Sequence, residues 1–558
     1  MRPEKGGVIR RTAPASRRTF ASRAVTMSSV WTTTRSMTVG LSDSTLDGTG
    51  HSEKSVRLLG VERLPAEPQR PRRDDHAAVA EHPDERPHAP ESQLCEDVVA
   101  QPGNRDNRRE QAGKREPVGA VRAVCHTRSY RRSHLNPPVR DALSRGRRDY
   151  QPSSKSSCMY LHRLPDGTDD LFWRYVQYAF QPDAGPELEE SDRPDPPHTR
   201  YGLYPDTSVT ADDEPVTICS SYDFSMWARD SRVSAGGLST VATPPEHRRN
   251  GYVEVMLRKL CRRYRETDTP VSVLWPFKHA FYAQFGWATA SRRLKWETEP
   301  STLRSAAATG GTWERVGRDA WESLDAIHEA ATGTDDLSLD RSEAWWRTRQ
   351  LRSFDTDPYV YRWRDADGDA RAWLAYTIDG DWGDRTLYVR SYDAADTEAF
   401  RHLLGFLTDH DSQVGEVQLE TATDSPLHAM VDDPDDLSPK LTTGPMIRFV
   451  DVPAALEALS YPDGVDATVE VGIRDPLLDS VAGRYRLAVA DGAATVERRG
   501  DDPTGDAVAS IGAFSQLAVG YRGASDLDAT DDLDADRGTV ETLAAVFPAT
   551  TTYLREGF

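Results

Sequence analysis

Ser234-Ala-Gly-Gly-Leu-Ser-Thr-Val-Ala-Thr243 runs into Pro-Pro-Glu-His247-Arg248-Arg249-Asn250-Gly251 and then into Tyr252-Val-Glu-Val-Met-Leu-Arg-Lys-Leu-Cys-Arg-Arg-Tyr264. Leu238 to Thr243 suits a strand whose outward side chains are small. Pro244-Pro245 ends its ladder, because proline has no N–H to donate. Val253, Met256, Leu257, Leu260, Cys261 and Tyr264 then recur at helical spacing. The chain therefore passes from strand to helix through a basic turn closed by Gly251, a residue free to take positive φ. A helix N-terminus offers unpaired N–H groups and the positive end of the dipole, which together suit a phosphate. Arg248 and Arg249 add charge. A basic turn capping an ordinary amphipathic helix has the same pattern, so this segment alone leaves both readings open.

Outward from that turn the signals stay consistent. Val271-Ser-Val-Leu-Trp275 reads as the next buried strand, stopped by Pro276. Lys278, Tyr282 and Phe285 then fall at i, i+4 and i+7, on one face of a short helix that Gly286 ends. Upstream, Met159-Tyr-Leu-His-Arg-Leu164 opens like a strand. Asp169 to Phe180 follows as an amphipathic helix with acidic residues in its first turn.

With 558 residues the chain favours several domains over one core. Its net charge of −20 is uneven: residues 1–158 carry 29 Lys and Arg against 19 Asp and Glu, leaving 40 against 70 for the rest. Only Lys259, Lys278, Lys295 and Lys440 are lysines in that larger part. An Asp-rich, Lys-poor surface suits a halophilic, salt-rich cytoplasm, where repulsion is screened within about 3 Å at 1 M. It argues against nucleic acid as partner and is compatible with a cationic, amine-bearing substrate. Five cysteines (95, 125, 158, 219 and 261) show no framework spacing, which fits a reducing cytosol. No apolar run is long enough to span a membrane, and there is no signal-peptide core.

Residues 1–158 are rich in Arg, Pro, Ser and His and hold one Trp, with no sustained apolar period. Two explanations fit: intrinsic disorder, or a start placed upstream of the true one at Met159, which is the reading preferred. Residues 309–449 read as a second α/β unit. Its hairpin is Tyr359–Trp363 and Ala370–Tyr376 about Asp365-Ala-Asp-Gly-Asp369, and its helix runs from Thr397 to Asp409. Trp345-Trp346-Arg347-Thr348-Arg349 falls on a helix. A third unit, with boundaries 450–558, begins around Met446–Pro453. Its alternating strands Gly483–Val489 and Ala494–Arg498 flank Asp491-Gly492, and a helix follows from Ile511. Asp532, Asp534 and Asp536 miss the calcium-loop pattern, since Gly538 stands one place late, so no metal is expected.

The strand, the Arg-x-x-Gly turn and the helix resemble the acetyl-CoA site of the GNAT N-acetyltransferases. Phe281-Tyr282-Ala-Gln-Phe285-Gly286-Trp287 and the final Phe558 resemble the Eis (enhanced intracellular survival) branch. The wider family pattern asks for Gly or Ala where Val253 stands. The resemblance spans 159–558 and implies an α/β fold with mixed sheets: a GNAT domain (159–308), a second GNAT-like domain without cofactor (309–449), and a sterol-carrier (SCP2)-like domain (450–558). It implies acetyl-CoA as co-substrate, no metal, a small amine or lysine-bearing acceptor, and a homo-oligomer, hexameric in the Eis family. By the same resemblance the backbone of Val241, Ala242 and Thr243 holds pantetheine. Arg248, Arg249, Asn250, Gly251, Tyr252, Val253 and Glu254 hold the phosphates, and Phe277 and Lys278 line the far side. Tyr282 is then the general acid and the Phe558 carboxylate the general base. A free α-carboxyl, with a pKa near about 3.5, is a weak base unless burial raises it, so this role requires the terminus to be threaded into the core. Glu556 is the rival base. Acetyl transfer through a covalent acetyl-Cys, on Cys219 or Cys261, is the rival route. A lipid-binding protein with a vestigial cleft, and a multi-subunit scaffold, are the alternatives to an enzyme.

Overall fold

The quoted stretch lies at the centre of a seven-stranded sheet in the computed structural model, which describes residues 159–185, 196–333, 335–352 and 356–558. The expectation for residues 1–158 lies outside the described residues.

In chain order the first sheet takes β1 (Tyr160–Arg163), β2 (His198–Tyr204), β3 (Thr217–Ala228), β4 (Ser231–Ala242), β5 (Val271–Leu274) and β6 (Ala288–Thr289). The second takes β7 (Arg292–Thr298), β8 (Thr312–Arg315), β9 (Tyr359–Arg364), β10 (Ala370–Asp379), β11 (Thr386–Ala394), β12 (Glu416–Thr421) and β13 (Lys440–Thr443). β14 (Met446–Phe449) returns to the first sheet and fills the place between β5 and β6. The third sheet holds β15 (Ala467–Arg474), β16 (Gly483–Ala490), β17 (Ala493–Gly500), β18 (Ala507–Ser510) and β19 (Leu533–Ala535). The helices are α1 (Asp169–Phe180), α2 (Tyr252–Glu266), α3 (His279–Ala283), α4 (Trp321–Thr332), α5 (Glu343–Trp345), α6 (Thr397–Thr408), α7 (Leu427–Met430), α8 (Val452–Glu457), α9 (Ile511–Ala518), α10 (Ala524–Ala529) and α11 (Arg537–Val546).

The sheets therefore do not divide where the sequence reading divides the chain. Arg292–Thr298, placed before 309 by that reading, is the second strand of the second sheet. Met446–Phe449, read as the opening of the third unit, is antiparallel to β5, from Met446–Leu274 to Phe449–Val271. All four β14 residues are buried, and a short run with apolar residues on both faces carries no mark of which sheet it joins.

Local chemistry accounts for the elements that shape the site. Arg229 and Asp230 both have positive φ (49° and 57°), the geometry of a tight hairpin turn between β3 and β4. A β-carbon on Gly236 would run into the Tyr264 ring of α2, and one on Gly237 into Phe224. These glycines thus serve the packing of α2 and β3 rather than the cofactor. Val273, Ile447 and Phe449 share one buried cluster with Ile511, Phe514 and Leu517 of α9, so the first sheet and the third unit close on a common core. The guanidinium of Arg448, fully buried, pairs with Asp475 and donates to the Phe285 carbonyl. It thereby ties the segment after α3 to the third unit. Removing one partner of such a pair costs about 3–5 kcal/mol, because the other charge is stranded.

Two of the three aspartates that miss the calcium-loop pattern have other partners. Asp532 pairs with Arg522 at 2.7 Å, and Asp536 caps α11 by accepting from the Thr539 N–H at 2.9 Å.

Candidate active site

Two irregularities open the centre of the first sheet. β3 and β4 pair at Ser220–Ser239 and again at Ile218–Ala242, so β4 carries one extra residue in between. That bulge contains Thr240, whose φ is +54°, and a bulge re-aims backbone groups out of the ladder. On its other side β4 runs parallel to β5 from Ala235–Val271 to Leu238–Leu274, and the pairing stops there. β4 continues to Ala242, whereas the chain after β5 leaves through Trp275 and Pro276. A gap therefore opens between Ser239–Ala242 and Trp275–Lys278, with backbone groups of the bulged strand facing it. Thr243, expected to continue the strand, lies just past its end.

The N-terminus of α2 stands at the mouth of this gap. Gly251 has φ +77°, and no side chain caps the helix, so the first-turn N–H groups of Tyr252, Val253 and Glu254 have no side-chain acceptor. The turn is braced from within. Arg248 Nε donates to the Thr243 carbonyl at 2.9 Å, its guanidinium lies 5.1 Å from the centre of the Tyr178 ring, and Asn250 Nδ2 donates to the His247 carbonyl at 3.1 Å. Arg249, exposed and with φ +62°, has no hydrogen bond or ion pair among the described residues. Arg248 is thus largely spent on the turn, and Arg249 is the cation left for an anion.

Across the gap, α3 is shorter than its sequence spacing implies. It spans His279–Ala283, and Lys278 precedes it in extended conformation, so Lys278 does not share a helical face with Tyr282. Phe285 lies beyond the helix, and Gly286 (φ +90°) turns the chain. Tyr282 is buried between Phe277 and Phe281, with ring centres 5.7 and 5.1 Å away. Its hydroxyl has no hydrogen-bond partner among the described residues. Burial pushes its pKa well above the ordinary tyrosine value, and Cys219, which faces the bulge on β3, adds to the rise. Tyr282 therefore stands against Phe277, on the Trp275–Lys278 side of the gap. Phe277 is 67% exposed and Lys278 is exposed beside it.

The tail reaches the same place from the opposite side. Trp275 Nε1 donates to the Glu556 carbonyl at 2.7 Å, and Arg349 Nη2 donates to the Gly557 carbonyl at 2.8 Å. Phe558 is 5% exposed, its ring 4.9 Å from Phe224 and 5.7 Å from Tyr222. The Glu556 side chain points away from that role: it is fully buried and accepts from Arg341 Nε at 2.8 Å. Trp275, Tyr222, Phe224 and Arg349 were not singled out by sequence. Arg349 sat in the expected helix, but α5 ends at Trp345 and Trp346–Gln350 forms one π-helical turn, an irregularity that often marks functional sites. Cys219 and Cys261 are both fully buried, and burial pushes their thiols up to about 12 and about 11.

His198 supports the Tyr222 side of the pocket. Arg200 Nε donates to His198 Nε2 at 3.0 Å, and His198 Nδ1 lies 3.4 Å from the Tyr222 hydroxyl. Burial, then Arg200 and Arg349, push its pKa down from 6.5 to about 3. Between those values the unfolded chain binds a proton that the folded chain refuses. Stability is therefore lost as pH falls through that window, by about 1.4 kcal/mol per unit for this one group. In His198→Gln, denaturant titrations between about pH 6 and pH 4 are expected to show a shallower loss by that amount. Parallel losses in the two proteins would refute it.

Models of known families match three stretches of the chain: an acetyltransferase (GNAT) domain over residues 162–290, a second acetyltransferase (GNAT) domain over 337–449, and a sterol carrier protein domain over 452–555. An uncharacterized N-acetyltransferase of Streptomyces griseus is 28% identical over 292 residues, covering 47% of this chain and 67% of the relative. N-acetyltransferase Eis of Mycobacterium tuberculosis is 27% identical over 275 residues, covering 46% of this chain and 64% of that protein. Among solved structures, a GCN5-related N-acetyltransferase of Anabaena variabilis superposes with a TM-score of 0.61 at 20% identity. Eis1 of Mycobacterium abscessus superposes with 0.57 at 23%; each covers 72% of this chain and the whole of the neighbour. The chain thus has two GNAT domains followed by a sterol-carrier-like domain.

Proposed function

We propose that this N-acetyltransferase binds acetyl-CoA in the gap of its first sheet and passes the acetyl group directly to a primary amine held in the same cleft. The observation that carries the proposal is the convergence on that gap of a bulged strand, an uncapped helix N-terminus with the unpartnered Arg249, the Tyr282 hydroxyl and the buried end of the tail. Acetyl-CoA would lie with pantetheine along Val241, Ala242 and Thr243, and with its phosphates at Arg249–Glu254. Phe277 and Lys278 would close the far side. The Phe558 carboxylate then takes a proton from the ammonium. The freed nitrogen attacks the thioester carbonyl, the C–S bond breaks as Tyr282 donates to the departing sulfur, and the second proton lost by the nitrogen restores the Tyr282 hydroxyl. The acetyl-Cys route is disfavoured, since both described thiols are inaccessible and held protonated.

No observation favours lipid carriage by the third unit. Phe514 and Phe547 are fully buried against each other, and α9 packs on the first sheet. The acidic balance of the chain and the two unpaired, buried thiols among the described residues support a cationic acceptor and a reducing, salt-rich cytoplasm. A homo-oligomer, hexameric by resemblance, belongs to the same proposal.

The test is thiol release from acetyl-CoA by the full chain in molar KCl, against polyamines, aminoglycosides and lysyl peptides. Amine-dependent release supports the proposal. Release on no amine, with no acetyl-CoA bound, overturns it, and co-purified lipid would then support the carrier alternative. Arg249→Ala is expected to raise KM for acetyl-CoA about tenfold or more with kcat little changed, the signature of a lost charge-assisted contact made equally in ground and transition states. An unchanged KM would remove Arg249 from the site.

A further inference from the structure

The second sheet has an opening of its own. β11 and β12 pair in parallel at only three positions, Thr386–Glu416 to Tyr388–Gln418, and α6 crosses between them as α2 crosses between β4 and β5. Beyond Tyr388, β11 runs on to Ala394 with that edge unpaired, while β12 turns its other edge to β7. The two openings differ at the helix. α6 is capped by the Asp396 carboxylate, which accepts from the Ala399 N–H at 2.9 Å, so a negative side chain stands where α2 leaves room for an anion.

The chain's own tail runs to this second opening. Tyr553 lies among Tyr392, Glu420 and Arg293, close enough for their charges to act on one another. Arg555 approaches Asp393 of β11 at 3.6 Å and pairs with Asp335 at 3.1 Å. Asp393, with none of its surface exposed, is the hub. Its Oδ2 accepts from His328 Nδ1 (3.0 Å), Trp373 Nε1 (2.9 Å) and Arg341 Nη1 (3.2 Å). Arg341 turns its other edge to Glu556, two residues before the end of the chain.

We propose that the opening of the second GNAT sheet is a socket for the C-terminal tail, in which Asp393 is the positioning residue that acts through Arg341 and Glu556 to set where the Phe558 carboxylate stands. The proposal rests on the terminal-carboxylate reading above. A planar guanidinium fixes two carboxylates in one geometry, and this one is further held 4.9 Å over Trp346. The Glu556 side chain is thereby pinned from the second domain while the Glu556 carbonyl is pinned by Trp275 of the first. Only two peptide bonds separate Glu556 from Phe558. Burial alone would raise the Asp393 pKa, yet His328 and Arg341 outweigh it and hold the group ionised.

The experiment compares the full chain with Asp393→Asn, the milder Glu556→Gln, and a control, Asp475→Asn, which strands the buried Arg448, whose partners are Asp475 and the Phe285 carbonyl rather than the tail. The first readout is release of Phe558 by a carboxypeptidase, which requires local opening of the tail. It is expected to quicken about tenfold or more in both tail-side variants and not in the control. The second is the split of kinetic constants: kcat falls about tenfold to a hundredfold, as a displacement near 1 Å produces, while KM for acetyl-CoA stays within twofold because that site lies on the first sheet. Release at the unmutated rate in both tail-side variants overturns the socket, as does equal release in Asp475→Asn. A chain extended by glycine that still turns over normally would overturn the terminal-carboxylate reading, while faster release in Asp393→Asn would still support the socket.

Discussion

Adding a single glycine after Phe558 is expected to lower kcat by about 10³-fold, within the range that a positioned base contributes, with acetyl-CoA still bound. The reason is positional. Phe558 has almost no exposed surface and its ring is wedged against Tyr222 and Phe224. The Gly557 and Glu556 carbonyls are held from outside by Arg349 and Trp275. The added residue therefore puts a peptide carbonyl, which is not a base, where the carboxylate stood, and carries the new carboxylate about 3.8 Å onward. The tail cannot back out to compensate without breaking those bonds. The proposed acetyl-CoA contacts are on α2 and β4, so affinity measured by titration should be preserved. Turnover at the unmodified rate would sink the base and return attention to water or a group on the acceptor.

Tyr282→Phe is expected to cost about 10²–10³-fold in kcat with KM for acetyl-CoA nearly unchanged. From an ordinary tyrosine, with a pKa of about 10, proton transfer to a thiolate is only slightly uphill. Burial makes it steeper, because it pushes the hydroxyl well above that value. Tyr282 thus stays protonated at neutral pH, and its own ionisation contributes no alkaline limb to the rate profile below about pH 10. Its benefit is a hydrogen bond that strengthens as negative charge gathers on sulfur in a site with little water. The penalty of the Phe variant should therefore shrink with an acetyl donor whose thiol is more acidic and needs less help to leave. A penalty independent of the leaving thiol would assign Tyr282 to packing between Phe277 and Phe281.

Elements whose signals are local were legible. Helix α1 spans the residues read for it, Gly251 takes the positive φ that its turn needs, and Asp491 and Gly492 (φ 50° and 76°) make the hairpin turn between β16 and β17. What failed was either small or remote. Gly236 and Gly237 give no sign in sequence of their role, because the rings that need their space lie on α2 and β3. Lys278 has helical spacing to Tyr282, but a five-residue helix cannot include it. Asp393 and Arg341 have no motif at all: each is a lone charge whose hydrogen-bond partners lie 20 to 215 residues away. The end of the tail was legible as a candidate only through resemblance, since nothing in Leu-Arg-Glu-Gly-Phe distinguishes a threaded terminus from a frayed one.

The position of β14 also bears on how the chain is made. β5 lies between β4 and β14, and its second partner is translated about 170 residues after it. At about 5–20 residues per second, the ribosome leaves that edge open for about 10 to 35 seconds. The edge is Val271-Ser-Val-Leu274, which is fully buried in the finished protein, and an open apolar edge of this kind invites pairing with another chain. Nascent chains released before residue 446 should accordingly be insoluble or chaperone-bound.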